Sequence, residues 1–159
     1  MEEKNLDKRL LFVCNKGGHY SQMLELKHLM QKYDSYVLTE KQNAQEDLVG
    51  YAKAMSMDNY NVMKHKLWNF IKCLWKCRKL WRQIRPQYII STGAAFALPM
   101  YIIGKINGSK LIYIETRAKV YTPTRTGKQI SKFCDKLIVQ WPEMLDVYGE
   151  KAEYHGILA

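Results

Sequence analysis

Apolar and polar positions follow two rhythms along the chain. Short apolar runs at Leu10–Cys14, Tyr36–Thr39, Tyr88–Ser91, Leu111–Ile114 and Leu137–Val139 have the length and composition of buried strands. Between them apolar residues recur every three or four positions. This predicts helices over His19–Lys32, Lys64–Arg85, Ala95–Ile106, Gly127–Phe133 and Pro142–Tyr148. Leu48–Met57 fits neither rhythm cleanly and leaves room for one more short strand. Strands alternating with helices predict an α/β fold: a Rossmann-like parallel sheet flanked by helices. With 159 residues, positions 1–159 are expected to form one domain.

Three loops that follow predicted strands carry unusual residues, and ligands of open parallel sheets bind beyond the carboxyl ends of the strands. The first is Asn15-Lys16-Gly17-Gly18-His19. A strand, a glycine turn and a helix start can present backbone N–H groups to an anion; the plainer reading is that Gly17 and Gly18 only make the turn. Neither a G-x-G-x-x-G fingerprint nor a P-loop lysine-serine pair is present. The second loop, Ser91-Thr92-Gly93-Ala94-Ala95, has small residues that suit either close approach of a ligand or tight strand–helix packing. The third opens with Glu115, whose carboxylate either accepts sugar hydroxyls, caps a neighbouring loop or pairs with Arg117. Arg117, Lys119, Arg125 and Lys128 in and after it either meet phosphates or form a solvated basic loop.

Charge sharpens this picture. The formal net charge is +10, and the stretch from Asn59 to Lys110 has no acidic residue but ten Lys or Arg, which accounts for the whole excess. Placed on a helix, Lys64, Trp68, Lys72, Trp75, Lys79 and Arg82 fall on one side. Phe70, Leu74, Cys77, Trp81 and Ile84 fall on the other, toward a core. Tryptophans among lysines on a polar face suit the interface of an anionic membrane. A solvated face packed on a loop and a base-stacking nucleic-acid surface are the alternatives.

The composition excludes other classes. The chain is 47% hydrophobic and 25% charged, as globular chains are. It shows no apolar run of membrane-spanning length, and MEEKNLDKR is no signal peptide, so a cytoplasmic protein is expected. Cys14, Cys73, Cys77 and Cys134 read as free thiols rather than metal ligands; no metal and no cofactor is implied.

Four segments in order, NKGGHYSQMLEL, ISTGAAFALPM, YIETRAKVYTPTRTGK and DKLIVQWPEM, resemble the acceptor-side subunit of a split glycosyltransferase. Such subunits are Alg14-like in dolichol-linked oligosaccharide synthesis and PssD-type in bacterial capsule and exopolysaccharide synthesis. The resemblance implies the N-terminal half of a GT-B enzyme of the MurG type (family 28). A separate catalytic subunit would then bind the UDP-sugar donor, and this chain an undecaprenyl-diphosphate-linked sugar acceptor. It maps acceptor binding onto Gly17, Gly18, His19, Ser91, Thr92, Gly93 and Glu115. His19 is either a general base, a hydrogen-bond donor or a helix cap. The resemblance also assigns docking of the catalytic subunit to the apolar end of the chain, Ile157 and Leu158, the alternative being a tail folded back on its own domain. The eukaryotic subunits carry a transmembrane anchor; here the basic tryptophan helix is expected to take its place and to hold the protein to the inner face of the plasma membrane. Two other functions compete: a basic nucleic-acid-binding module and a self-sufficient small nucleotide-sugar-binding enzyme.

Overall fold

The computed structural model describes residues 5–40, 44–57, 66–94 and 96–158. In chain order the elements are β1 (Asn5–Cys14), α1 (Gly18–Leu24), α2 (Lys27–Lys32), β2 (Tyr33–Thr39), α3 (Ala44–Asp47), β3 (Lys53–Ser56) and α4 (Lys66–Ile84). They continue with β4 (Tyr88–Gly93), α5 (Ala97–Ile106), β5 (Lys110–Ile114), α6 (Arg125–Ile130), β6 (Lys136–Val139), α7 (Met144–Tyr148), a 3₁₀ turn and β7 (Ala152–Tyr154). The seven strands form one sheet in the order β3-β2-β1-β4-β5-β6-β7. Every neighbouring pair is parallel. This is the doubly wound order, with its switch point between β1 and β4.

Alternation along the strands divides the core. Leu11, Val13, Ile89, Leu111, Tyr113 and Leu137 face α4, α5 and α6. Leu10, Phe12, Cys14, Val37, Ile90 and Ile114 face α1, α2 and α3. On this second face β5 and β6 lie beyond the short helices. Leu26, Leu29, Ile90, Ile112 and Ile138 there frame an apolar groove of about 250 Å³ with residues 155–158.

Two expected elements differ. The helix expected over His19–Lys32 is two short helices, because the chain turns at Glu25 and Leu26, where Leu26 N–H bonds Met23 C=O at 3.0 Å. Lys53–Ser56 resolves the ambiguous stretch as an edge strand, and the opposite edge, β7, has no counterpart in the apolar pattern.

Helix α4 exposes the expected basic and aromatic side, but its buried side is shifted. Cys77, Trp81 and Ile84 of the expected set reach the core together with Cys73 and Leu80, whereas Phe70 and Leu74 are only half-buried. Trp68 is 61% and Trp75 76% exposed. Lys72, Lys79 and Arg82 are exposed on the same side, and Lys72 Nζ lies 5.9 Å from the Trp68 ring. Leu67 and Ile71 add exposed apolar surface beside the tryptophans. Lys64 lies outside the described residues.

Candidate functional site

The first two glycine loops meet at the switch point. β4 is bulged there: Val13 pairs with Ser91 and Cys14 with Gly93, leaving Thr92 as the extra residue. Ser91 bridges the irregularity, since its hydroxyl donates to Val13 C=O at 2.7 Å and accepts from Gly93 N–H at 3.1 Å. Asn15 N–H donates to Gly93 C=O at 3.0 Å. Ser91 and Thr92 are fully buried, and their hydroxyls are engaged with the backbone of the two loops.

Thr92 and His19 clasp each other. Thr92 Oγ1 donates to His19 C=O at 2.8 Å, and His19 Nδ1 lies 2.7 Å from Thr92 C=O. A carbonyl only accepts, so Nδ1 carries the hydrogen in this pair and the neutral ring keeps its lone pair on Nε2. The imidazole is stacked onto Gly93, whose φ is +121°; a Cβ there would stand 2.6 Å from His19 Cε1. Gly93 is therefore required by both backbone and ring. Gly17, at φ +80°, is required by the turn alone, and a Cβ at Gly18 would meet nothing within 4 Å. The helix that starts at this turn, α1, is short, with seven residues.

Glu115 does not open into the crevice. It is 1% exposed. One carboxylate oxygen accepts Thr116 N–H at 2.9 Å. The other accepts Thr124 N–H and Thr124 O–H at 3.1 Å each, together with Tyr148 O–H. Its backbone C=O accepts Gln140 Nε2 at 2.8 Å. Burial, then the bond to Glu115, push the Tyr148 hydroxyl pKa up, so this phenol is firmly a donor. Of the three readings of Glu115, the structure selects the cap: the carboxylate ties the 116–124 loop to β5 and α7, and no sugar hydroxyl reaches it without displacing these donors.

What faces solvent is a crevice of about 450 Å³ between the start of α1 and the loop that Glu115 holds. Gly18, His19 and Gln22 line one side, and Thr116, Arg117, Ala118, Lys119 and Thr124 the other. Arg117 and Lys119 are exposed and bring two cations opposite the imidazole. Gln22 and Thr116 were missed by sequence reasoning, because a glutamine in an amphipathic pattern reads as part of the solvated face. Among the described residues no group of three or more His, Cys, Asp or Glu is placed to hold a metal.

The C-terminal segment divides. Leu158 is half-buried against the α1–α2 side of the core; its N–H donates to Gln140 Oε1 at 3.0 Å, and its C=O accepts from Arg117 Nη1 at 3.3 Å. Leu158 thus folds back on its own domain, whereas Ile157 is 44% exposed at the mouth of the apolar groove.

Residues 62–158 match the family described as "Oligosaccharide biosynthesis protein Alg14 like". The chain is 24% identical to the UDP-N-acetylglucosamine transferase subunit ALG14 of Yarrowia lipolytica, over 98% of this chain and 83% of that protein. It is 24% identical to the same-named subunit of Schizosaccharomyces pombe, over 99% and 87%. Among solved structures, MurG of Acinetobacter baumannii superposes with a TM-score of 0.75 at 13% identity, over 96% of this chain. The chain spans about half of that MurG, 46% of its length. The fold is therefore that of one half of a GT-B glycosyltransferase.

Proposed function

The chain belongs to the Alg14-like family of oligosaccharide biosynthesis proteins, and from that premise we propose that it is the acceptor-side subunit of a two-component glycosyltransferase. Its crevice takes a lipid-diphosphate-linked sugar, with an undecaprenyl carrier as the expected lipid. A separate subunit brings the nucleotide-sugar donor across the carboxyl edge of the sheet. The relatives are named as subunits of a UDP-N-acetylglucosamine transferase, and UDP-N-acetylglucosamine is the donor we assign. The product enters lipid-linked saccharide assembly, for capsule or exopolysaccharide in a bacterium.

The observation that carries this reading is the His19 imidazole fixed by Thr92 in a crevice with two cations opposite. Arg117 and Lys119 suit a diphosphate, Gly18 lets a ligand pass close to the backbone, and His19 Nε2 is free to accept a proton from a sugar hydroxyl. That hydroxyl oxygen would attack the donor's anomeric carbon, and the nucleoside diphosphate would leave on the partner.

The exposed face of α4 supports a membrane site for the reaction. In a parallel sheet the crossover helix runs back from the carboxyl edge, so the first turns of α4, with Leu67 and Trp68, lie at the edge that carries the crevice. Trp68, Trp75, Lys72, Lys79 and Arg82 would rest on anionic headgroups, placing the crevice near a lipid carrier. Ile157 and the groove beside it would receive the partner. The test is reconstitution on anionic vesicles with UDP-N-acetylglucosamine and a lipid-diphosphate sugar. Transfer by the pair and by neither protein alone supports the proposal; transfer by this chain alone, or no dependence of the pair on this chain, refutes it.

A further inference from the structure

One polar atom beside the crevice has no partner in the fold. Gln22 is 3% exposed, and its Nε2 donates to Thr116 Oγ1 at 3.3 Å. Among the described residues, its Oε1 is the buried side-chain oxygen or nitrogen that lacks a hydrogen-bond partner. Exchanging the amide's oxygen and nitrogen moves the vacancy to an N–H and does not remove it. A buried polar atom left unpaired destabilises a fold, and such atoms are rare without a ligand, a water or a function to explain them. Gln22 also lines the crevice, between the imidazole of His19 and the loop that carries Arg117 and Lys119.

Thr116 completes the pair. Its Oγ1 accepts from Gln22 Nε2 and from Ala118 N–H, each at 3.3 Å, so its own hydrogen is left to donate. The two side chains together offer one acceptor and one donor. The amide belongs to a side chain that lines the crevice, and its terminal torsion is soft. Hydroxyls of a sugar, or its acetamido group, carry the matching donor and acceptor; a bare diphosphate carries none that Oε1 can accept.

We propose that Gln22, with Thr116, reads the sugar of the bound conjugate, while Arg117 and Lys119 hold its diphosphate. The crevice thus divides into a neutral, hydrogen-bonding floor and a cationic mouth. This inference rests on the acceptor reading above and adds to it the residue that sets sugar selectivity.

The test compares wild type with Gln22→Met, which keeps the volume and removes both polar atoms. Each is titrated by NMR with citronellyl diphosphate and with its glucosyl and N-acetylglucosaminyl conjugates. Wild type is expected to bind at least one conjugate about tenfold more tightly than the sugar-free diphosphate, about 1.4 kcal/mol. Gln22→Met should bind all three alike, at the affinity wild type shows for the sugar-free diphosphate. Its unfolding midpoint should hold or rise, since an unpaired buried group is gone. A folded Gln22→Met that keeps the sugar preference overturns the assignment and leaves the acceptor reading standing. Loss of affinity for all three probes, together with lowered stability, makes Gln22 a structural residue and also overturns it. If wild type binds none of the three with shifts at Gly18–Gln22 and Thr116–Lys119, the acceptor reading itself fails.

Discussion

Replacing Gly93 by alanine strikes the clasp on which the crevice depends. The added Cβ would stand 2.6 Å from His19 Cε1 and 2.7 Å from Nδ1, where non-bonded atoms normally rest at about 3.5–4.0 Å. The ring must move by roughly 1 Å, which breaks its 2.7 Å bond to Thr92 C=O. Losing that bond costs about 0.5–1.5 kcal/mol. Holding an L residue at φ +121° adds about 1–3 kcal/mol. Gly93→Ala should therefore lower stability by about 2–4 kcal/mol in urea unfolding. The Nδ1–H tautomer of His19, read from nitrogen shifts, should be lost in the variant. A double variant with His19→Ala should recover about 1 kcal/mol of the loss, because the obstructing ring is gone. If Gly93→Ala unfolds at the wild-type denaturant concentration and keeps the tautomer, the clasp is not what holds His19.

Gly18→Ala is the contrasting change. It meets no atom of the chain and replaces glycine in a helix, so stability should stay level or rise by up to about 1 kcal/mol. Sugar transfer by the reconstituted pair should nevertheless fall, and full activity would show that no ligand passes over this turn. Trp68→Ala with Trp75→Ala should weaken sedimentation with anionic vesicles, and salt should weaken wild-type binding through screening. Equal, salt-insensitive binding would reject this face as the contact, and tight single-stranded RNA binding without vesicle binding would favour a nucleic-acid surface. Ile157→Asp, at an exposed position, should leave the domain folded and abolish co-purification with the donor-binding subunit; retained co-purification places the interface elsewhere.

The parts of the fold that bury apolar runs could be read directly. Leu10–Cys14 is a central strand covered on both faces, and such strands are apolar throughout. Leu111–Ile114 and Leu137–Val139 are equally apolar, with one face on the core and the other on the apolar groove. The edges could not. β3 (Lys-Ala-Met-Ser) and β7 (Ala-Glu-Tyr) are half-wet, and polar edges guard against stray pairing, so their pattern carries little signal. The turn at Glu25–Leu26 has no glycine or proline to announce it. In the site, the paired glycines and His19 announced themselves by chemistry. The roles of Ser91, Thr92 and Glu115 did not, because a polar residue at a strand end looks the same whether it meets a ligand or a backbone. Only the bulge at Thr92 and the ring of donors around Glu115 separate the two. Gln22 was hidden for the converse reason: its burial depends on the 116–124 loop folding over α1, a contact ninety-four residues away in sequence.

The central claim is that this chain, in the crevice between His19 and Arg117, holds the lipid-linked acceptor. A lipid-diphosphate sugar bearing a photoreactive group on the sugar tests it most directly, when crosslinked to the reconstituted pair on vesicles and mapped by peptide mass spectrometry. The account predicts adducts on Gly18–Gln22 and Thr116–Lys119 of this chain, competed away by unlabelled acceptor. Adducts confined to the donor-binding partner, or to this chain outside those two segments, would contradict it.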